Sequence, residues 1–179
     1  MDFLKKHSLP LFLITASLLL ALWGESSLLS LRYERNGISN GEIWRLFSGH
    51  LLHTGWMHLW FNLAALITIW LIVQHYLSTL FWWMTALFCS IGISLGLYII
   101  QSGLEWYVGL SGLLHGLLVA GAIAGIVRGR RELTLLLIIV YAKVVWELFY
   151  GPLSTNIVAL KGDIIVDAHL YGVLTGTVS

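Results

Sequence analysis

The stretch WYVGLSGLLHGLLVAGAIAGIV, residues 106–127, decides how the chain is read. From Val108 onward it is a nearly unbroken apolar run, long enough to cross a hydrocarbon layer of about 30 Å as one helix. Its mouth nevertheless carries Ser111 beside Gly109 and Gly112, with His115 one helical turn later. Gly112, Gly116, Ala120 and Ala124 then recur every fourth residue, a small-residue stripe that lets membrane helices approach closely. A surface turn can produce Gly-Leu-Ser-Gly at no cost, and so can an enzyme that cuts peptide bonds inside a bilayer. The remaining sequence has to separate the two.

Composition narrows the choice. Of 179 residues, 58% are hydrophobic and 11% charged, and the mean hydropathy is +0.85, whereas soluble domains carry about 25% charge. Nine Trp and seven Tyr suit a protein with two lipid–water interfaces, where amphipathic rings prefer to sit. A net charge of +1 gives no reason to expect a nucleic-acid partner. The lone cysteine, Cys89, excludes an internal disulfide and reads as packing. This is an all-α membrane protein.

Six apolar segments are expected to span: 9–29, 56–74, 80–100, 108–127, 133–149 and 164–178. Polar residues between 32 and 48, turn residues at 101–105 and 151–163 (Gly103, Pro152 and Asn156 among them), and the basic loop Arg128-Gly-Arg-Arg-Glu132 separate them. No repeat or second domain is visible, so residues 1–179 form one domain. The first segment follows Lys5 and Lys6 like a signal peptide, but Trp23 stands where a cleavage site wants small residues, so it is read as a retained helix. Lys5, Lys6, Arg128, Arg130 and Arg131 fall on one side, and Arg32, Arg35, Arg45 and Lys161 on the other. The bias places both termini in the cytoplasm. The last segment is short and contains Asp167 and His169, so it spans only if it packs inside a bundle or the bilayer thins around it.

Ionisable groups in a membrane are costly and point to function. His58 and Asn62 begin the second span, Ser111 the fourth and His169 the sixth, and these three spans run the same way. Counted from the span starts and multiplied by the helical rise, all four groups lie within about 10 Å of one boundary. Ala168, Gly172 and Gly176 on the sixth span repeat the four-residue stripe of the fourth. Close packing of these two stripes would bring Ser111 and His169 within hydrogen-bond reach. A neutral imidazole can then take the serine proton near pH 7. His58 and Asn62 share a helix face and both can donate to an oxyanion, together with the free Ser111 amide at its helix start. Gly109 and Gly112 leave room for backbone and substrate to approach.

The bland readings stand beside these. A lone His58 or Asn62 is more often an interhelical hydrogen bond. His50 and His53 read as structural or interfacial, and His75 as a solvated helix end. Lys143 and Glu147, four apart, read as a mutually neutralising pair, and Trp44-Arg45 as a tie for the first loop. No His-Glu-x-x-His pattern is present, and His50-Leu-Leu-His53 lacks a third ligand, so neither metal nor cofactor is expected.

Together, Trp44-Arg45, His53, His58-x-x-x-Asn62, Gly109-x-Ser111-Gly112 and Ala168-His169-x-x-Gly172-x-x-x-Gly176 resemble the rhomboid family of intramembrane serine proteases. The resemblance covers the chain from the first loop to the C-terminus and implies a six-transmembrane-helix bundle. It implies Ser111 as nucleophile, His169 as general base, and His58, Asn62 and the Ser111 amide as the oxyanion hole. One position departs: His115 stands where many bacterial rhomboids carry an aromatic residue that stacks on the catalytic histidine. Gly-Leu-Ser-Gly-Leu-Leu-His-Gly in so compact a chain resembles the rhombosortase subfamily. That resemblance implies a bacterial inner-membrane enzyme, open to the periplasmic side, acting on exported proteins with a C-terminal tail of Gly-Gly, hydrophobic helix and basic end. His115 is left with four readings: stacking on His169, bonding to the dyad, lining the substrate pocket, or competing as the base. The rivals are a general rhomboid protease and an inactive rhomboid-like protein that binds membrane helices.

Overall fold

The computed structural model describes residues 2–152 and 165–179. Lys161, Asn156, most of the turn expected at 151–163 and the first residue of the sixth expected span lie outside the described residues. In chain order the elements are α1 Asp2–Lys6, α2 Ser8–Trp23, α3 Glu25–Leu31, β1 Tyr33–Glu34, α4 Arg35–Ser39 and α5 Arg45–Ser48. A single 3-10 turn, Gly49–Leu51, leads to α6 Trp56–Val73, α7 Thr79–Ile100 and β2 Trp106–Tyr107, followed by α8 Ser111–Val127, α9 Leu133–Tyr150 and α10 Val166–Val178.

Three helices, α6, α7 and α9, are long and apolar enough to cross a membrane alone. The first expected span, 9–29, is not one helix. It breaks at Gly24, and α2 and α3 meet at 115°. Gly24 has φ +74°, a left-handed conformation that side chains with a Cβ avoid. The Ser27 hydroxyl lies 2.8 Å from the Leu20 carbonyl and 2.7 Å from that of Gly24, adding a second donor at each to the backbone N–H groups of Gly24 and Ser27. α8, with 17 residues, and α10, with 13, are shorter than α6, α7 and α9, and both lie inside the bundle. The six helices α2 and α6–α10 are consistent with the expected six-helix architecture.

α8 is the central post. Apolar on every side, it packs on α6, α7, α9 and α10, as a helix without an amphipathic stripe must if it is to be buried. The outer helices turn Trp60, Phe61, Leu71, Met84, Phe88, Ile138 and Trp146 outward, a surface suited to lipid. α10 runs parallel to α8 at close quarters. A Cβ on Gly112 would lie 2.7 Å from the Ala168 carbonyl oxygen, and Gly172 and Gly176 abut Gly112 and Gly116. The expected stripe contact is present over this first half. Farther along α8 the small residues serve other neighbours, with Gly121 against Val73 and Trp82, and Gly125 against Leu133 and Tyr76.

The segment between α3 and α6 is held by charges that end on backbone oxygens. Arg45 is buried, donates to the Leu29 and Arg32 carbonyls at 3.2 and 2.9 Å, and pairs with Glu42. Arg35 donates to the Leu104, Leu97 and Gln101 carbonyls at 3.1, 3.1 and 2.7 Å. β1 pairs antiparallel with β2, placing Tyr33 opposite Tyr107. This short ladder fixes the strand that leads directly into Ser111.

Candidate active site

Ser111 owes its position to the turn between β2 and α8. Gly109 adopts φ +139°, its N–H donates to the Gly49 carbonyl at 3.2 Å, and its own carbonyl accepts from the buried Tyr107 hydroxyl at 2.7 Å. The chain thus turns within three residues and starts α8 at Ser111, whose N–H is among those without an intrahelical acceptor.

The parallel contact between α8 and α10 brings the distant histidine to the serine. His169 Nε2 lies 2.9 Å from Ser111 Oγ, and His169 is buried. The other imidazole nitrogen, Nδ1, lies 2.9 Å from Glu147 Oε2. A carboxylate only accepts, so Nδ1 carries the hydrogen and Nε2 presents its lone pair to the serine hydroxyl. The same Glu147 oxygen receives Lys143 Nζ at 2.7 Å. The expected Lys143–Glu147 pair is therefore real, but it faces the serine–histidine pair.

His115 is tied at both nitrogens. Nδ1 lies 2.7 Å from the Ser111 carbonyl oxygen and so is the N–H; Nε2 then accepts from Lys143 Nζ at 2.9 Å. Its ring stacks on that of His169, with centroids 4.4 Å apart and planes 21° apart. Of the four readings of His115, stacking and bonding to the serine backbone are observed, and it also lines the cleft described next. With its lone pair held by an ammonium, it has none to offer the Ser111 hydroxyl.

A cleft of about 110 Å³ opens at Ser111, lined by Asn62, Ala65 and Ile69 of α6, by His115 of α8 and by Val140 of α9. α8 separates α6 from α9, which share next to no contact among the described residues, so the cleft is a gap between those two helices. In the structure, Asn62 Nδ2 is bonded to the His58 carbonyl at 3.1 Å. His58 lies against Gly109, where a Cβ would come 3.3 Å from its ring, and its Nδ1 is 3.2 Å from the Thr54 hydroxyl. Both expected oxyanion donors thus border the serine turn. A larger cavity, about 530 Å³, includes His53, Thr54 and Glu25 but not Ser111.

The remaining sequence expectations fall into place around the site. His50 is buried and donates from Nε2 to the Ser90 carbonyl at 3.0 Å, a structural bond. His53 packs edge-on to His58 with centroids 5.0 Å apart. His75 is exposed at the opposite end, where Lys6 Nζ approaches its ring to 3.4 Å and Arg128 reaches its carbonyl at 3.4 Å. The N-terminal lysines and the basic loop therefore share one end of the bundle.

The Rhomboid domain matches residues 40–179. The chain belongs to the rhomboid family. Rhomboids are intramembrane serine proteases, and the match runs from the first loop through every helix that lines the cleft. No curated protein matches the chain in sequence.

Proposed function

We propose that this rhomboid is an active protease in which Ser111 is the nucleophile and His169 the general base. The observation that carries this reading is the 2.9 Å contact between Ser111 Oγ and His169 Nε2 at the head of an open cleft. A substrate helix enters through the gap between α6 and α9 and unwinds near its end, because an intact helix keeps its carbonyls in its own hydrogen bonds. Ser111 Oγ attacks the scissile carbonyl while His169 Nε2 takes its proton. His58, Asn62 and the Ser111 amide receive the oxyanion once Asn62 leaves its intrahelical bond. Collapse of the intermediate breaks the C–N bond, and His169 returns the proton to the leaving amine. Water, activated in the same way, releases the acyl group. Gly109 and Gly112 give the substrate backbone access to the serine, and His115 borders the cleft and steadies the His169 ring. No cofactor is needed.

The Gly-Leu-Ser-Gly-Leu-Leu-His-Gly signature supports a rhombosortase role, acting on exported proteins that end in Gly-Gly, a hydrophobic helix and basic residues. The shared end of Lys6, His75 and Arg128 supports a bacterial inner-membrane topology with cytoplasmic termini and a cleft toward the periplasm. The test is co-expression of a reporter bearing such a tail with wild-type protein and with Ser111→Ala. Cleavage by the wild type alone is expected. Cutting only of an ordinary rhomboid substrate would indicate a general rhomboid protease, and cutting of neither by folded protein an inactive helix-binding one.

A further inference from the structure

We propose that Glu147 is the third member of the catalytic unit, a positioning residue that sets the tautomer of His169 and balances its charge during proton transfer, with Lys143 neutralising Glu147 in the resting state. This rests on the reading of Ser111 and His169 as the reacting pair.

Three observations carry it. The Glu147 side chain is almost completely buried, with 3% of its surface exposed. A buried carboxylate in a lipid-facing helix is a costly substitute for an apolar residue, so an ordinary surface ion pair does not explain it. Second, its Oε2 sits 2.9 Å from His169 Nδ1, on the side of the ring opposite the 2.9 Å contact to Ser111. The three side chains form a line, hydroxyl to imidazole to carboxylate, from three different helices. Third, Lys143 is shared. It holds Glu147 at 2.7 Å and His115 Nε2 at 2.9 Å, and lies 3.4 Å from His169 Nδ1, so one ammonium both offsets the carboxylate and occupies the lone pair of the imidazole stacked on His169. Of the two stacked histidines, His115 and His169, only His169 presents a free lone pair to the Ser111 hydroxyl.

Attack forms the Ser111 Oγ–carbonyl carbon bond, and the hydroxyl proton moves to His169 Nε2. The imidazolium keeps its Nδ1–H on Glu147, whose negative charge opposes the new positive one. The proton later leaves with the amine, and Glu147 is never protonated.

The test measures labelling of Ser111 by a fluorophosphonate probe in the purified full-length protein, a reaction that forms an O–P bond, expels fluoride and needs no known substrate. Glu147→Gln keeps an oxygen that can accept from His169 but loses the charge, and should label about 100-fold more slowly than wild type. Glu147→Ala loses the acceptor as well and should fall about 1000-fold, while Glu147→Asp should recover to within about tenfold of wild type. The loss should lie in the maximal rate and not in the half-saturating probe concentration, which a merely structural defect would not predict. If Glu147→Gln lowers the thermal midpoint, the charge-neutral pair Glu147→Gln with Lys143→Met restores balance and should still label slowly. Labelling of either at the wild-type rate, with Ser111→Ala blank, overturns the triad and leaves the dyad intact. Labelling of Ser111→Ala as fast as wild type overturns the dyad reading itself, and the triad with it.

Discussion

The segment between α3 and α6 and the layer shared by α8, α9 and α10 are both rich in buried polar groups, and they use them in opposite ways. In the first, Arg35, Arg45 and His50 all reach backbone carbonyls. A carbonyl oxygen accepts and never changes its protonation, so these bonds have one state and fix a shape. In the second, Ser111, His169, Glu147, Lys143 and His115 are bonded chiefly to one another. Each of these side-chain links joins two groups that can exchange or share a proton, and only His115 Nδ1 ends on a backbone carbonyl, that of Ser111. Burial and charge are therefore poor guides to function in this protein, and the identity of the partner is the better one.

The largest expected effect lies in the exchanging layer. Ser111→Ala or His169→Ala should reduce cleavage to background, a loss on the order of 10⁶-fold in other serine proteases, with the thermal midpoint within a few degrees of wild type. Arg45→Met is the opposite control. It strands the Leu29 and Arg32 carbonyls and Glu42, and should destabilise by about 3 kcal/mol while the folded fraction keeps its turnover to within a few-fold. A dead but fully stable Arg45→Met protein, measured by thermal unfolding beside turnover, would erase the contrast between the regions.

Gly112→Ala tests how tightly the two layers are joined. The added Cβ would fall 2.7 Å from the Ala168 carbonyl, one residue before His169, so α10 must shift to relieve it. A displacement near 1 Å between serine and histidine should cost about 100-fold in turnover. Unchanged turnover, with α8 and α10 still packed by cross-linking, would mean that the 2.9 Å contact is not needed.

Much of this was legible in the sequence, and the misses have physical causes. The stripes on α8 and α10 predicted the helix contact, and depth counting put Ser111, His169, His58 and Asn62 in one layer. Glu147 escaped because depth was counted from span starts, which suits only helices running the same way. α9 runs opposite, and counted back from Tyr150, Glu147 and Lys143 lie about 10 Å or less from that end, in the same layer as the rest. That count was available from the sequence. The break at Gly24 has a partial signal, since Gly24-Glu25-Ser26-Ser27 interrupts the apolar residues of α2 and α3, but hydropathy averaged over a span does not register a backbone torsion. His115 was undecidable, because its fate depends on Lys143, a residue 28 positions away.

Asn62→Ala and His58→Ala come next in size. Loss of one oxyanion donor costs about 10- to 1000-fold, and neither substitution should move the thermal midpoint much, since the Asn62 bond ends on its own helix. A large drop in stability with turnover intact would assign both residues to the fixed-shape group.

The smallest effect belongs to His50, in the segment between the membrane-crossing helices, where burial pushes the imidazole down to about 4. Folding therefore holds it neutral, whereas the unfolded chain takes up a proton at about 6.5. Between these values the unfolded state binds more protons, so the stability contributed by neutral His50 is full above about 6.5 and is lost as the pH falls toward 4, at most about 3 kcal/mol in all. His53, pushed down to about 3 by burial and by His58 beside it, adds a second slope of the same sign. His50→Gln keeps a donor for the Ser90 carbonyl without a group that titrates in this range. Its thermal midpoint should fall less than that of wild type between pH 7 and pH 5, with His53 supplying the remainder. Equal slopes for the two proteins would mean that His50 is not held neutral by the fold, and that this segment, like the serine layer, tolerates a change of protonation.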